Sequence, residues 1–148
     1  DVLTSDASQL AGTRAVAPNP KDYVLLPEII SKEPLAPAVR HGDDQFMDIV
    51  DFSVLAMINA EELGITSQNV DEMLKSVDPV VQRFLGVTAG NGAALGLDEK
   101  WAYNISKQVG NYGEVFERNV GVNTTLGIER GLNALWTNGG LMYAPPFK

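Results

Sequence analysis

The 148-residue sequence predicts an α/β protein that is rich in helix and contributes only a few strands to an incomplete sheet. Three observations lead there. Short β-prone runs bounded by proline cluster before residue 40. Helical spacing of apolar residues dominates after it. The two or three strands are too few for an independent sheet of normal size, so they must pair with strands outside this chain or with a second copy of it.

The elements follow in chain order. Val2-Leu3-Thr4 reads as a short strand, and Asp6 or Ser5 then caps a helix from about Ala7 to Val16, which Pro18-Asn19-Pro20 ends. Tyr23 to Leu26 reads as a strand, Pro27 to Pro34 as an extended connector, and Leu35 to Arg40 as a second β-type run with Pro37 at an edge. Asp43 is an N-cap candidate for a helix carrying Phe46, Ile49, Val50, Val54, Met57 and Ala60, stopped by Gly64. Its apolar face is wide, which predicts cover on two sides. Asn69 and Glu72 have capping-box spacing ahead of Val70 to Ser76, and Asp78-Pro79 opens Val80 to Leu85. Val87 to Gly96 reads as a glycine-rich loop with room for one short turn. Asp98 caps a helix with Leu97, Trp101, Ile105 and Val109 at four-residue spacing, and Tyr112, Val115, Phe116 and Val120 mark another. Thr124 or Thr125 is expected to open a last helix with Ile128, Leu132, Leu135 and Trp136 on one face. The chain then ends in an apolar tail, Leu141 to Lys148.

Composition narrows the function. Lysine plus arginine number 11 and aspartate plus glutamate 19, a net charge of −8. So acidic a surface repels phosphate backbones and argues against nucleic acid as a partner. Between Asp43 and Asp78 nine acidic residues face one lysine, Lys75, and read as a solvated helical face. The longest apolar stretch, Phe46 to Ile58, is interrupted by Asp48, Asp51 and Ser53, so direct membrane insertion is not expected. There is no cysteine and one histidine, His41, which removes disulfides, thiol nucleophiles and cysteine or histidine zinc sites. Asp1 to Asp6 has neither a basic nor an apolar region and is not a signal peptide, so the chain is expected to be processed, trimmed or part of a longer one.

The candidate chemistry is sparse. Gly90, Gly92 and Gly96 have the spacing GxGxxxG, but a dinucleotide loop must follow a strand and here a helix precedes; the glycines read as a plain loop. His41 lies beside Asp43 and Asp44, which serve a helix start, so it reads as solvated or structural. Asp48 and Asp51 are one helical turn apart and read as a wet face, not a metal site. Trp101, Trp136, Tyr112 and Phe116 read as core. Asp6 has two open readings. It follows a strand and precedes a helix, the place where α/β proteins bind ligands, and a carboxylate there can accept hydrogen bonds from an ammonium group; its plainer reading, which spacing alone favours, is a helix N-cap.

Several segments together resemble the periplasmic solute-binding proteins of polar amino-acid ABC transporters, in particular the general L-amino-acid-binding subfamily. Val2-Leu-Thr-Ser-Asp6 is similar to that family's strand ending in an aspartate. Tyr23-Val-Leu-Leu-Pro27 to Pro34-Leu35 is similar to its return connector, and Ala38-Val-Arg40-His41-Gly42-Asp43 to the strand and turn before the next helix. Gly110-Asn-Tyr112-Gly-Glu114-Val115 resembles its G-x-Y-x-x-I/V helix, and Ile128 to Phe147 its C-terminal end. The five occur in the family's order.

The resemblance implies the C-terminal part of a two-lobe, type II periplasmic-binding-protein fold. Residues 1–31 would end the second, ligand-binding lobe, and 32–148 would return through the hinge near Ile30 to Pro34 and complete the first. It implies a protein that binds L-amino acids in the periplasm and delivers them to an ABC permease, without enzymatic activity, cofactor or metal. Asp6 would hold the ligand's α-ammonium group. The arginine for the α-carboxylate would lie in an N-terminal portion that this chain does not contain. The same two-lobe fold also hosts a cyclohexadienyl dehydratase, so an enzyme is one alternative. A ligand-free helical interaction module, assembling through its open sheet edge, is another.

Overall fold

The computed structural model describes residues 1–31 and 34–147; the middle of the expected connector and hinge, Lys32 and Glu33, and the end of the tail, Lys148, lie outside the described residues. Among the described residues seven α-helices form: α1 Ala7–Ala15, α2 Asp44–Glu62, α3 Val70–Met73, α4 Pro79–Phe84, α5 Gly92–Leu95, α6 Trp101–Gln108 and α7 Tyr112–Asn119. Short 3-10 turns follow at Gly131–Asn133 and Trp136–Asn138. The chain divides into two compact units, Asp1–Pro37 with Phe116–Arg130, and Ala38–Val115 with Gly131–Lys148.

None of the three expected strands forms among the described residues, whose β-type pairing consists of one isolated bridge, Leu135 with Met142. The β-prone runs are extended but unpaired. Val2, Leu3, Val24 and Leu26 are exposed, as is Leu35. A ladder needs a second strand to satisfy its N–H and C=O groups, and no described segment of this chain supplies one.

In the first unit, α1 buries Ala11 completely. Arg14 donates from Nη2 to the Leu126 carbonyl at 3.4 Å, and the Ile128 N–H donates to the Val120 carbonyl at 3.0 Å. The Arg130 guanidinium lies 5.3 Å from the centre of the Phe116 ring, a cation–π contact. The helix expected from Thr124 to Trp136 does not form. Thr124 turns its hydroxyl onto the Gly121 carbonyl at 2.8 Å and accepts from the Leu126 N–H at 3.2 Å, and Gly127 and Gly131 both sit at positive φ, 60° and 45°. Local hydroxyl bonds and left-handed glycines defeat an apolar spacing that looked helical.

The second unit is built on α2. The Asp43 carboxylate caps it, accepting from the Phe46 N–H at 3.2 Å, as its sequence position predicts. Ala56 and Ala60 face one core, with Ile65, Val70, Phe84, Leu85, Trp101 and Ala102. Two small residues one turn apart let α6 approach closely. Phe147 closes this core from the tail, its ring 5.7, 5.9 and 5.8 Å from Phe52, Phe84 and Trp101. Ile58, about 200° round the helix from Ala60, faces a second cluster with Leu135 and Ala144. Helix α2 is therefore covered on two sides, as its wide apolar face predicts. Trp136 departs from its expected place in the core: it is half-exposed and stands edge-on to Tyr143 at 6.1 Å, because the 3-10 turn buries its neighbour Leu135 instead.

Candidate ligand-binding aspartate

Asp6 occupies the N-cap position of α1 in an extended conformation, φ −56° and ψ 142°. Its carbonyl accepts the first helical bond, from the Leu10 N–H at 2.9 Å. Its side chain, however, makes no capping hydrogen bond. Asp43 and Asp78 spend their carboxylates on the helices they precede, Asp78 accepting from the Val80 N–H at 2.8 Å. Asp6 does not. A half-buried carboxylate at a helix start that is not spent on the cap can accept hydrogen bonds from a cation brought to it.

The other predicted positions belong to the second unit. His41 is exposed on the turn made by Gly42 at φ 83°, and its neighbour Asp43 is committed to α2. Asp48 and Asp51 are exposed. Among the described residues no group of three or more His, Cys, Asp or Glu side chains could hold a metal ion. Nor, among them, is any helix long and apolar enough to cross a membrane.

The glycine-rich loop does bind an anion, but its own. The Glu99 carboxylate accepts from the Gly90 N–H at 2.8 Å and the Ala93 N–H at 3.1 Å. These bonds, Gly90's first, hold Glu99 below the ordinary carboxylate range. A Cβ on Gly92 would meet the Asp98 carbonyl at 2.7 Å, so the glycine is needed for packing against the chain itself. Sequence spacing showed the glycines but not the internal carboxylate that fills their nest.

Two further polar devices escaped the sequence reading. Asn111 and Glu114 form a reciprocal capping box at the start of α7: the Asn111 N–H donates to Glu114 Oε2 at 2.9 Å, and the Glu114 N–H donates to Asn111 Oδ1 at 2.9 Å. Their N-x-x-E spacing was the available signal. Glu114 also accepts from the Ser67 N–H at 3.0 Å and the Ser67 hydroxyl at 2.6 Å, which ties α7 to the turn after α2. The box expected at Asn69 and Glu72 lies one turn earlier. Thr66 and Asn69 exchange backbone-to-side-chain bonds of 2.7 and 3.2 Å. On the surface, Asp71 accepts from Lys107 Nζ at 2.7 Å and the Tyr103 hydroxyl at 2.8 Å, and Lys107 above all holds its carboxyl below the usual range.

No protein-family model matches the chain. Individual proteins match all of it. It is 56% identical to the general L-amino acid-binding periplasmic protein of Rhizobium johnstonii, over 100% of this chain and 44% of that protein. It is 54% identical to the glutamate/glutamine/aspartate/asparagine-binding protein of Rhodobacter capsulatus and to a putative amino-acid ABC transporter-binding protein of Escherichia coli, again over 44% of each. Among solved structures, an ABC transporter periplasmic binding protein from Brucella ovis with glutathione bound superposes with a TM-score of 0.91 at 51% identity, over 96% of this chain and 45% of that one. The chain thus spans less than half the length of the relatives that it matches.

Proposed function

We propose that this chain, a homologue of part of the amino-acid-binding proteins of ABC transporters, supplies the C-terminal portion of a periplasmic protein that captures L-amino acids and hands them to an ABC permease. In this reading residues 1–31 close the second lobe and 32–148 pass through the hinge and complete the first. Lobe closure traps the ligand. Asp6 accepts the ligand's α-ammonium group. The carboxylate of Asp6, which makes no cap at a helix start where Asp43 and Asp78 do, is the observation that carries the reading. The remainder of the pocket, including the group that meets the α-carboxylate, belongs to the N-terminal portion.

The names of the relatives support a head-group mechanism. One binds L-amino acids generally, another glutamate, glutamine, aspartate and asparagine, and the structural neighbour holds glutathione. All these molecules carry a free α-ammonium beside an α-carboxylate; glutathione does so through its γ-glutamyl end. Recognition of that head by Asp6 tolerates different side chains, because a charge-assisted bond to the ammonium does not read what lies beyond it. The ligand is bound and released unchanged.

Native mass spectrometry of the complete protein with a mixture of L-amino acids tests the proposal. One adduct per molecule, released intact on denaturation, is the expected result. A ligand recovered with water lost from it would instead make the protein a dehydratase. A ligand-free homo-oligomer would make it an assembly module.

A further inference from the structure

The sequence contains two Asn–Gly pairs, Asn91-Gly92 and Asn138-Gly139, and the second unit treats them in opposite ways. An Asn–Gly pair carries intrinsic chemistry. The glycine amide nitrogen can attack the asparagine side-chain carbonyl carbon, forming a new C–N bond in a five-membered succinimide. The side-chain nitrogen leaves as ammonia, and water then opens the ring at either carbonyl, giving an aspartyl or isoaspartyl residue. Glycine permits this because no Cβ obstructs the approach.

Gly92 is buried and opens α5. The residues on either side of the Asn91-Gly92 pair, Gly90 and Ala93, both donate their N–H groups to the Glu99 carboxylate, at 2.8 and 3.1 Å. The Gly92 carbonyl accepts the Leu97 N–H at 2.9 Å, and a Cβ at this position would meet the Asp98 carbonyl at 2.7 Å. The backbone is therefore clamped on both sides of the Asn91-Gly92 bond, which resists the rotation that would bring the Gly92 nitrogen onto the Asn91 side-chain carbonyl. Asn138 and Gly139 are exposed. Asn138 ends a three-residue 3-10 turn, and Gly139 follows at φ 82° with open space around its α-carbon. A single long bond of 3.3 Å, to the Trp136 carbonyl, restrains the Gly139 N–H.

We propose that Asn138 is a spontaneous deamidation site of the folded protein, and that the Glu99 clip on the glycine-rich loop protects Asn91 from the same reaction. Conversion at Asn138 adds one negative charge beside the Trp136–Tyr143 pair, and its isoaspartyl form lengthens the backbone inside the tight 135–142 loop.

The test is peptide mapping of the intact, folded chain during incubation in mildly alkaline buffer, with isoaspartate detection. The Asn138 peptide is expected to convert at least about tenfold faster than the Asn91 peptide, the factor that about 1.4 kcal/mol of extra opening free energy at Gly92 produces. In concentrated urea the two rates should converge. Glu99→Ala should raise conversion at Asn91 without changing that at Asn138. Equal rates in the folded chain, or an unequal ratio that persists unchanged in urea, overturns the proposal; the first denies the protection and the second assigns the difference to local sequence.

Discussion

Glu114 makes more of the second unit's order than any other described carboxylate. It accepts from both donors of Ser67 and from the Asn111 N–H, while its own N–H is held by Asn111 Oδ1. Glu114→Ala leaves these part-buried donors without their acceptor, and we expect a loss of about 1–3 kcal/mol, read as a lower urea midpoint. Glu114→Gln retains the acceptor oxygen and should recover part of it. Glu99 makes a prediction in pH. Its folded-state pKa lies below its unfolded value because backbone N–H groups, Gly90's first, bind the charged form. The unfolded state therefore takes up a proton first as pH falls. The stabilisation is present above the unfolded pKa and is lost as pH drops through the folded one. Asp71 has the same sign, through Lys107 and then Tyr103. Stability measured across the acid range should fall, and Glu99→Gln together with Asp71→Asn should flatten the fall; an unchanged slope in the double variant would remove both residues as its source. At this scale the sequence was informative at the aspartate caps Asp43 and Asp78, and it missed the equally local box of Asn111 and Glu114. It was silent on Glu99, whose carboxylate serves a loop up to nine positions away.

At the scale of elements, the helices that read clearly are those whose start, stripe and stop agree. Helix α2 has an aspartate cap, a wide apolar face and a left-handed Gly64 at φ 68°. The region from Thr124 to Trp136 has the stripe alone. Its two internal glycines take positive φ, and the chain turns instead of coiling. The β-prone runs fail for a different reason: strand propensity is a fit to a pleated neighbour, and these runs have none among the described residues. Gly86 shows how closely the helical unit is built. It stops α4 at φ 69°, and a Cβ there would overlap the Glu99 carbonyl. Gly86→Ala combines left-handed strain with that overlap, so we expect a loss on the order of 1–3 kcal/mol, visible as a drop in Tm. A variant as stable as the parent would show that the loop and the start of α6 separate freely.

At the scale of the molecule, the unpaired runs and the coverage of the relatives point the same way. Val2, Val24 and Ile30 are 87%, 78% and 79% exposed, while the chain spans 44% of its relatives' length. Exposed apolar edges of this kind seek a partner. We expect the isolated chain to bind a hydrophobic dye and to self-associate, and the complete protein to do neither; a monomeric, dye-negative isolated chain would contradict this. The fold class was legible because helices are local. Of the proposed pocket, one residue was legible, Asp6, because its setting ahead of a helix can be read from the sequence alone.

The most direct test is calorimetric titration of the complete protein with L-glutamine, beside its Asp6→Asn variant. If Asp6 grips the α-ammonium, the variant loses on the order of 2–5 kcal/mol of binding free energy, a weakening of roughly thirtyfold or more in Kd, with its thermal stability retained. An unchanged Kd in the folded variant would remove Asp6 from the pocket and the ammonium clamp with it.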